Sequence, residues 1–327
     1  MDMVIQIILL IVGFILLIKG ADWLIDGASS TASHFKVSKL LIGLTIVAFG
    51  TGAPELAVSV SSLLNGTTDM LLGNVIGSNI LNILLLIGIA AVIRPIRIKK
   101  DTVAKELPLL LLISTVIIVL FLDTLLVSAD QNTISRADGI ICLLCFSVFI
   151  FYIISMARKN RAAKTEVEKP KFRLGISLLL ILVGLAGVVG GSELVVSSAS
   201  TIAASIGVSD RMIALTIVAF GTSLPELITT IKAAKRNENE LLVGNIIGSN
   251  IFNICIVLGL PVALFGTITP SSFEIIDLIM LVGATVILLL VSRSGRKITR
   301  LEGILMLATF TIYYSYIIIN AVSALPS

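Results

Sequence analysis

The stretch AFGTGAPELAVS, residues 48–59, sets Glu55 beside a glycine and a proline inside a segment that is otherwise apolar for many residues. LTIVAFGTSLPELITT at 215–230 repeats it, and residues 44–51 are identical to 215–222. Glu55 and Glu226 stand 171 positions apart. The same offset, without a gap, pairs Asp22 with Glu193, Thr51 with Thr222, Gly73 with Gly244, Ser78 with Ser249 and Asn82 with Asn253. GNVIGSNILN at 73–82 keeps eight of its ten letters in GNIIGSNIFN at 244–253, whereas the third to fifth apolar runs of each half share little. The chain is an internal duplication.

Around these motifs the composition is that of a membrane protein. Over 327 residues, 57% are hydrophobic and 13% charged, with a mean hydropathy of +1.09, which excludes an ordinary soluble domain. Ten apolar runs, near 3–24, 40–64, 70–93, 107–127, 140–156, 174–199, 212–234, 241–265, 275–291 and 303–324, mostly reach the length of a spanning helix. The first begins with Asp2 instead of a basic leader and resembles the sixth, so it reads as mature structure and not as a signal peptide. The expected fold is all-α and polytopic, with ten transmembrane helices. Residues 1–157 form the first five-helix repeat, 158–173 a short cytoplasmic linker and 174–327 the second repeat. An odd number of spans per copy makes the second copy enter the membrane from the opposite face, so the repeats are inverted and the two GT-x-x-PE segments meet near the midplane.

Charge gives the orientation. The odd-numbered connections hold 21 of the 24 Lys and Arg, which the positive-inside rule assigns to the cytoplasm, with both termini outside a cell membrane. This bias accounts for the pI near 9.0 without a nucleic acid or protein partner, although contact of these cations with anionic lipid head groups is expected. Cys142, Cys145 and Cys255 fall inside apolar runs as small hydrophobes, and CLLC at 142–145 reads as packing. His34, the one histidine, lies beside Lys36 and Lys39 and reads as interfacial.

Pro54 lacks an N–H and its ring collides with the carbonyl four residues back, at Gly50, so a break in the helix is expected there, and Pro225 with Gly221 repeats the arrangement. Carbonyls freed around Ala48 and Ala219 survive at membrane depth only where they line a cavity or hold a ligand. Glu55, Glu226, Thr51, Thr222, Ser223, Ser78, Ser249, Asn82 and Asn253 add carboxylate, hydroxyl and amide oxygen. That inventory suits Ca²⁺ or Na⁺ and argues against zinc, copper or iron. Ser78 and Asn82, four apart, share a helix face, as do Ser249 and Asn253. The glycines of the GSN motif read on their own as close-packing residues. A glutamate at mid-membrane is different, since it costs about 2.5 to 3.5 kcal/mol on an insertion scale and calls for a function. Asp22, Asp26 and Glu193 lie toward helix ends, at an interface or cavity mouth.

GTGAPEL with GNVIGSNILN, followed by GTSLPEL with GNIIGSNIFN, resembles the paired alpha-repeats of the cation/calcium antiporter superfamily, most closely its sodium/calcium exchanger branch of the prokaryotic type. The resemblance spans the whole ten-span plan. It implies a non-enzymatic antiporter without cofactors, in which Na⁺ and Ca²⁺ compete for one central cluster reached alternately from each side. It further implies that Glu55 and Glu226 bridge the ions and that Thr51 and Thr222 give oxygens to Ca²⁺. The Ala48 and Ala219 carbonyls with Ser223 would hold Na⁺, Ser78, Asn82, Ser249 and Asn253 would complete the middle, and the first and sixth helices would slide. The chain departs from the pattern at Gly52, where the family usually has the serine matched here by Ser223, and this puts the Na⁺ number in question. It departs again at Asn253, which is aspartate in some relatives including the potassium-dependent branch, and this points away from K⁺ transport. A Ca²⁺/H⁺ antiporter using the same glutamates is the nearest alternative. A Ca²⁺ channel or an intramembrane protease with paired carboxylates explains less of the duplicated, oxygen-rich second motif.

Overall fold

A computed structural model describes residues 3–126, 128, 130–162, 169–206, 219–269 and 275–323. In chain order the helices are α1 (Met3–Phe35), α2 (Lys39–Thr51), α3 (Ala53–Leu64), α4 (Thr68–Ile93), α5 (Thr102–Leu120), a short α6 (Asp123–Leu126), α7 (Arg136–Ala162), α8 (Leu174–Ser205), a short α9 (Ala219–Gly221), α10 (Leu224–Lys235), α11 (Asn239–Phe265), α12 (Ile275–Arg293) and α13 (Arg300–Ser323). Two short strands, β1 (Ile96–Arg97) and β2 (Lys297–Ile298), pair antiparallel. Among the described residues eight helices are long and apolar enough to cross a bilayer, nine when the bent pair α2 and α3 counts as one span. The seventh apolar run of the sequence is described only from Ala219 onward, and its earlier part, with Arg211, lies outside the described residues, as does the middle of the linker, 163–168.

The long helices run past the apolar stretches that announce them: α1 reaches Phe35 and α8 reaches Ser205. These two helices clasp through small residues. A Cβ on Gly20 would meet Val188 N at 2.7 Å, and one on Gly191 would meet Leu17 N at the same distance. Gly184 approaches Leu24 N at 2.6 Å, while Gly13 approaches Val195 N at 3.0 Å. At each of these points a side chain would collide with the other helix's backbone, so glycine permits the approach. Gly244 and Gly248 do the same in α11, against the carbonyl oxygens of Leu40 and Leu44. Residues 211 and 215, the counterparts of Leu40 and Leu44 that a symmetric contact would set against Gly73 and Gly77, are outside the described residues. Exposed isoleucines, leucines and valines cover α1, α8, α12 and α13, while α11 is buried through most of its length.

The connections fall into two sets that touch within each set. The β1–β2 pair joins the loop before α5 to the loop before α13. Lys39 pairs with Glu238 at 3.0 Å and Lys99 with Glu240 at 2.7 Å, and His34 Nε2 lies 2.7 Å from Phe172 O. Asp22 binds Lys232 at 3.0 Å and Arg236 at 2.6 Å, while Asp26 binds Arg236 at 3.1 Å and Lys171 at 3.2 Å. This set carries the basic odd-numbered connections. In the other set Ile134 bridges Ile268, and Thr68 Oγ1 donates to Thr269 O at 3.4 Å. Asp22 and Asp26, which lie inside α1 because the helix runs on to Phe35, are thus each paired with basic side chains of the connections, and Glu193 is exposed.

Candidate ion-binding site

Both proline motifs interrupt their helices. The axis bends by 44° between α2 and α3, and Pro54 takes the first turn of α3. Gly52 at the junction has φ −79°, ψ 2°, and its counterpart Ser223 has φ −90°, ψ 5°, with Pro225 in the first turn of α10. Proline is tolerated there because its missing N–H would have had no partner in a first turn. The Ala48 carbonyl is not freed by the break, since Gly52 N–H donates to it at 3.0 Å, but its second lone pair remains. The carbonyl that Pro54 deprives of a donor is that of Gly50. In the second half the corresponding carbonyl, Gly221 O, accepts instead from Ser192 Oγ on α8 at 2.7 Å.

The break aims both glutamates inward. Glu55 and Glu226 are each 1% exposed, and they are close enough for their like charges to repel. Ser223 neighbours Glu55, and Thr51 and Ser249 neighbour Glu226, so each carboxylate meets residues of the other half of the chain. Thr51, Ser78, Ser249, Asn82, Asn253, Ser223 and Ala48 are all buried, and Thr222 is half-buried beside them. Ala219 opens α9, and its side chain lies outside the description.

What these residues do not bond to defines the chemistry. Glu55 Oε2, Glu226 Oε2, Ser223 Oγ, Ser249 Oγ, Asn82 Oδ1 and Asn253 Oδ1 are buried without a hydrogen-bond partner. Buried polar atoms are normally satisfied, because an orphan costs about 1 to 3 kcal/mol. Unpartnered hard oxygens, two of them carboxylate and close to one another, are what a dehydrated Na⁺ or Ca²⁺ requires. The asparagine amides are meanwhile fixed. Asn82 Nδ2 donates to Asn250 Oδ1 at 3.0 Å, Asn253 Nδ2 lies 3.4 Å from Asn79 Oδ1, and Asn250 Nδ2 reaches Asn79 O at 3.3 Å. Their carbonyl oxygens are left to face away from these bonds.

Several of these partners were not singled out from the sequence. Asn74 Nδ2 donates to Glu55 O and to Ser59 Oγ, both at 3.0 Å, and Thr51 Oγ1 lies 3.5 Å from Asn245 Oδ1. The signal was available, since Asn74, Asn79, Asn245 and Asn250 recur at the repeat offset within the same motifs. Four π-helical segments among the described residues were also unforeseen. Two of them, Leu81–Leu86 and Asn253–Leu258, carry Asn82 and Asn253, and such bulges are frequent at functional sites.

The chain matches the family described as sodium/calcium exchanger protein over residues 5–155 and 176–319. It is 39% identical to the CaxA protein of Alkalimonas amylolytica over 98% of this chain and all of that one. It is 28% identical to the sodium/calcium exchanger MaX1 of Methanosarcina acetivorans over 94% of this chain and 97% of that one. Its fold is similar to that of the sodium-calcium exchanger NCX_Mj soaked with Na⁺ and Sr²⁺, with a TM-score of 0.83 at 34% identity and full coverage of both chains. The resemblance read from GTGAPEL and GTSLPEL therefore holds along the whole length, and the chain belongs to the sodium/calcium exchanger protein family.

Proposed function

We propose that this chain is a secondary antiporter that exchanges Na⁺ for Ca²⁺ by alternating access, with Glu55 and Glu226 as shared ion-bridging carboxylates. The observation that carries the reading is that two mutually close carboxylates, one from each half of the chain, are buried with an unpartnered oxygen apiece beside the unpartnered hydroxyls of Ser223 and Ser249. Thr51 and Thr222 serve Ca²⁺, the Ala48 and Ala219 carbonyls with Ser223 serve Na⁺, and Ser78, Ser249, Asn82 and Asn253 complete the centre. With both glutamates ionised, one Ca²⁺ or two Na⁺ neutralise the site. A third Na⁺ makes the exchange electrogenic, worth about 2.3 kcal/mol per 100 mV for each extra charge, enough to drive Ca²⁺ out of a cell with a negative interior. Without ions the facing carboxylates oppose reorientation, which is what coupling requires.

The architecture that goes with this is ten spans in two inverted repeats, residues 1–157 and 174–327 around the linker 158–173, with the basic connections cytoplasmic and both termini outside. Two features support it. The reciprocal contacts of Gly20 with Val188 and of Gly191 with Leu17 are what a twofold axis between α1 and α8 produces, because residue i meets the counterpart of j and j meets the counterpart of i. The turn at Gly66 (φ +72°) and its counterpart at Asn237 (φ +60°) belong to different sets of connections, as inversion demands.

The test is ⁴⁵Ca²⁺ uptake into proteoliposomes loaded with Na⁺ and diluted into Na⁺-free buffer, with a proton gradient alone and no gradient as controls. Uptake that needs internal Na⁺ and responds to a clamped potential is the expected result. Uptake driven only by protons would make Glu55 and Glu226 proton carriers and the chain a Ca²⁺/H⁺ antiporter. Flux indifferent to any opposing ion would point to a channel.

A further inference from the structure

The exchange reading is the starting point here, and the asymmetry between the two breaks refines it. Ser223 is 2% exposed, lies beside Glu55 and leaves its Oγ without a partner. Its counterpart across the repeat is Gly52, so a twofold copy of the arrangement would put a hydroxyl beside Glu226. Something else fills that space. A Cβ on Gly52 would fall 2.9 Å from Cδ1 and 3.2 Å from Cε1 of Phe252, and 3.1 Å from Ala48 O. Phe252 is a second break in the symmetry, because its own counterpart is Leu81. The ring is 8% exposed and stacks on Phe49 with centroids 5.0 Å apart, so it is held where it stands. The side chain missing at 52 and the larger one at 252 are complementary.

We propose that the Gly52–Phe252 pair makes the two Na⁺ positions unequal, with the position beside Glu55, served by Ser223, tight and the position beside Glu226, walled by an aromatic ring, weak. A cation at the weak position lacks the hydroxyl that Ser223 supplies at the other and has the Phe252 ring in its place. Cations held by fewer oxygens keep more of their desolvation cost uncompensated. The weak position fills last, and its occupancy sets the Na⁺ dependence of exchange.

The experiment is displacement of ⁴⁵Ca²⁺ by Na⁺ from the purified full chain, beside Na⁺-driven flux in proteoliposomes. Gly52→Ser with Phe252→Leu gives positions 52 and 252 the residues of their counterparts, Ser223 and Leu81. The Na⁺ needed for half-displacement, taken relative to the Ca²⁺ half-saturation of the same variant, is expected to fall roughly tenfold or more for one added oxygen contact to a charged group. Gly52→Ser alone, with the ring in its way, gives a smaller gain, and Phe252→Leu alone gives none. A double variant that binds Ca²⁺ yet yields it at the wild-type Na⁺ level overturns the proposal, as does Phe252→Leu reproducing the full gain. If the double variant fails to fold, Ser223→Gly carries the test. It removes the hydroxyl from the tight position, so half-displacement should need several-fold more Na⁺, and an unchanged curve overturns the proposal. Wild-type protein that answers only to protons would instead overturn the Na⁺/Ca²⁺ reading, before any variant is made.

Discussion

Asn82 donates to Asn250 at 3.0 Å, and the counterpart pair, Asn253 and Asn79, stands at 3.4 Å, so the middle of the site is braced by two reciprocal amide contacts between the halves of the chain. Asn253→Asp would replace a donor by a carboxylate facing the Asn79 carbonyl and add a third formal charge to the cluster. Like-charged and lone-pair contacts in a buried site are costly unless a cation compensates them. The variant is expected to melt several degrees below wild type without ions and to gain more from Ca²⁺ than wild type gains. Thermal unfolding of purified protein with and without Ca²⁺ measures both, and an equal Ca²⁺ response in the two proteins would refute the placement of Asn253 at the cation.

Glu55→Gln and Glu226→Gln keep the shape of the side chain and remove its charge. Each variant is expected to fold, to elute as wild type on size exclusion, and to lose Na⁺-driven ⁴⁵Ca²⁺ exchange by more than tenfold, because one carboxylate cannot balance a divalent ion alone. Near-normal flux in either variant would remove that glutamate from the site.

How much of this was legible in the sequence depends on the range of the interactions involved. The break at Gly50 and Pro54 is a local steric fact, and the 44° bend follows it. The gapless offset that pairs Thr51 with Thr222, Gly52 with Ser223 and Glu55 with Glu226, taken with an odd number of spans per copy, is what led to the expectation that the two motifs meet. The Ala48 carbonyl was expected to be free, yet Gly52 N–H takes it, since the helix closes one more bond before it breaks. The π-helical segments at Leu81–Leu86 and Asn253–Leu258 depend on packing from both halves, which no local pattern encodes. Phe252 against Gly52 is likewise a contact between residues 200 positions apart in the chain.

The clasp between α1 and α8 makes a distinct claim about stability. Gly184→Ala would drive a methyl toward Leu24 N at 2.6 Å, a backbone atom that cannot turn aside. Overpacking of this kind costs about 1 to 3 kcal/mol. Gly175, on the same helix, is exposed with no described atom near its Cβ position, and Gly175→Ala should be neutral or stabilising by about 0.5 to 1 kcal/mol. Thermal denaturation of the two variants in one detergent compares them directly, and equal melting temperatures would mean that the two helices are not tightly apposed.

Ser192 tests whether the second break is held by α8. Its hydroxyl satisfies Gly221 O at 2.7 Å, the carbonyl that Pro225 strips of a backbone donor, whereas the counterpart of Ser192 in the first half is Ala21, which has no donor to give Gly50 O. Ser192→Ala would leave a carbonyl unsatisfied where water is scarce, at a cost of about 1 to 3 kcal/mol. Ser192→Thr keeps a hydroxyl at the same reach and should restore most of the loss. Because Gly221 leads directly into Thr222 and Ser223, the alanine variant is also expected to need more Na⁺ for half-maximal exchange, and the threonine variant to recover it. A stability loss without any shift in the Na⁺ curve would reduce Ser192 to a packing role, since a hydroxyl that positions the break has to be felt at the oxygens the break presents.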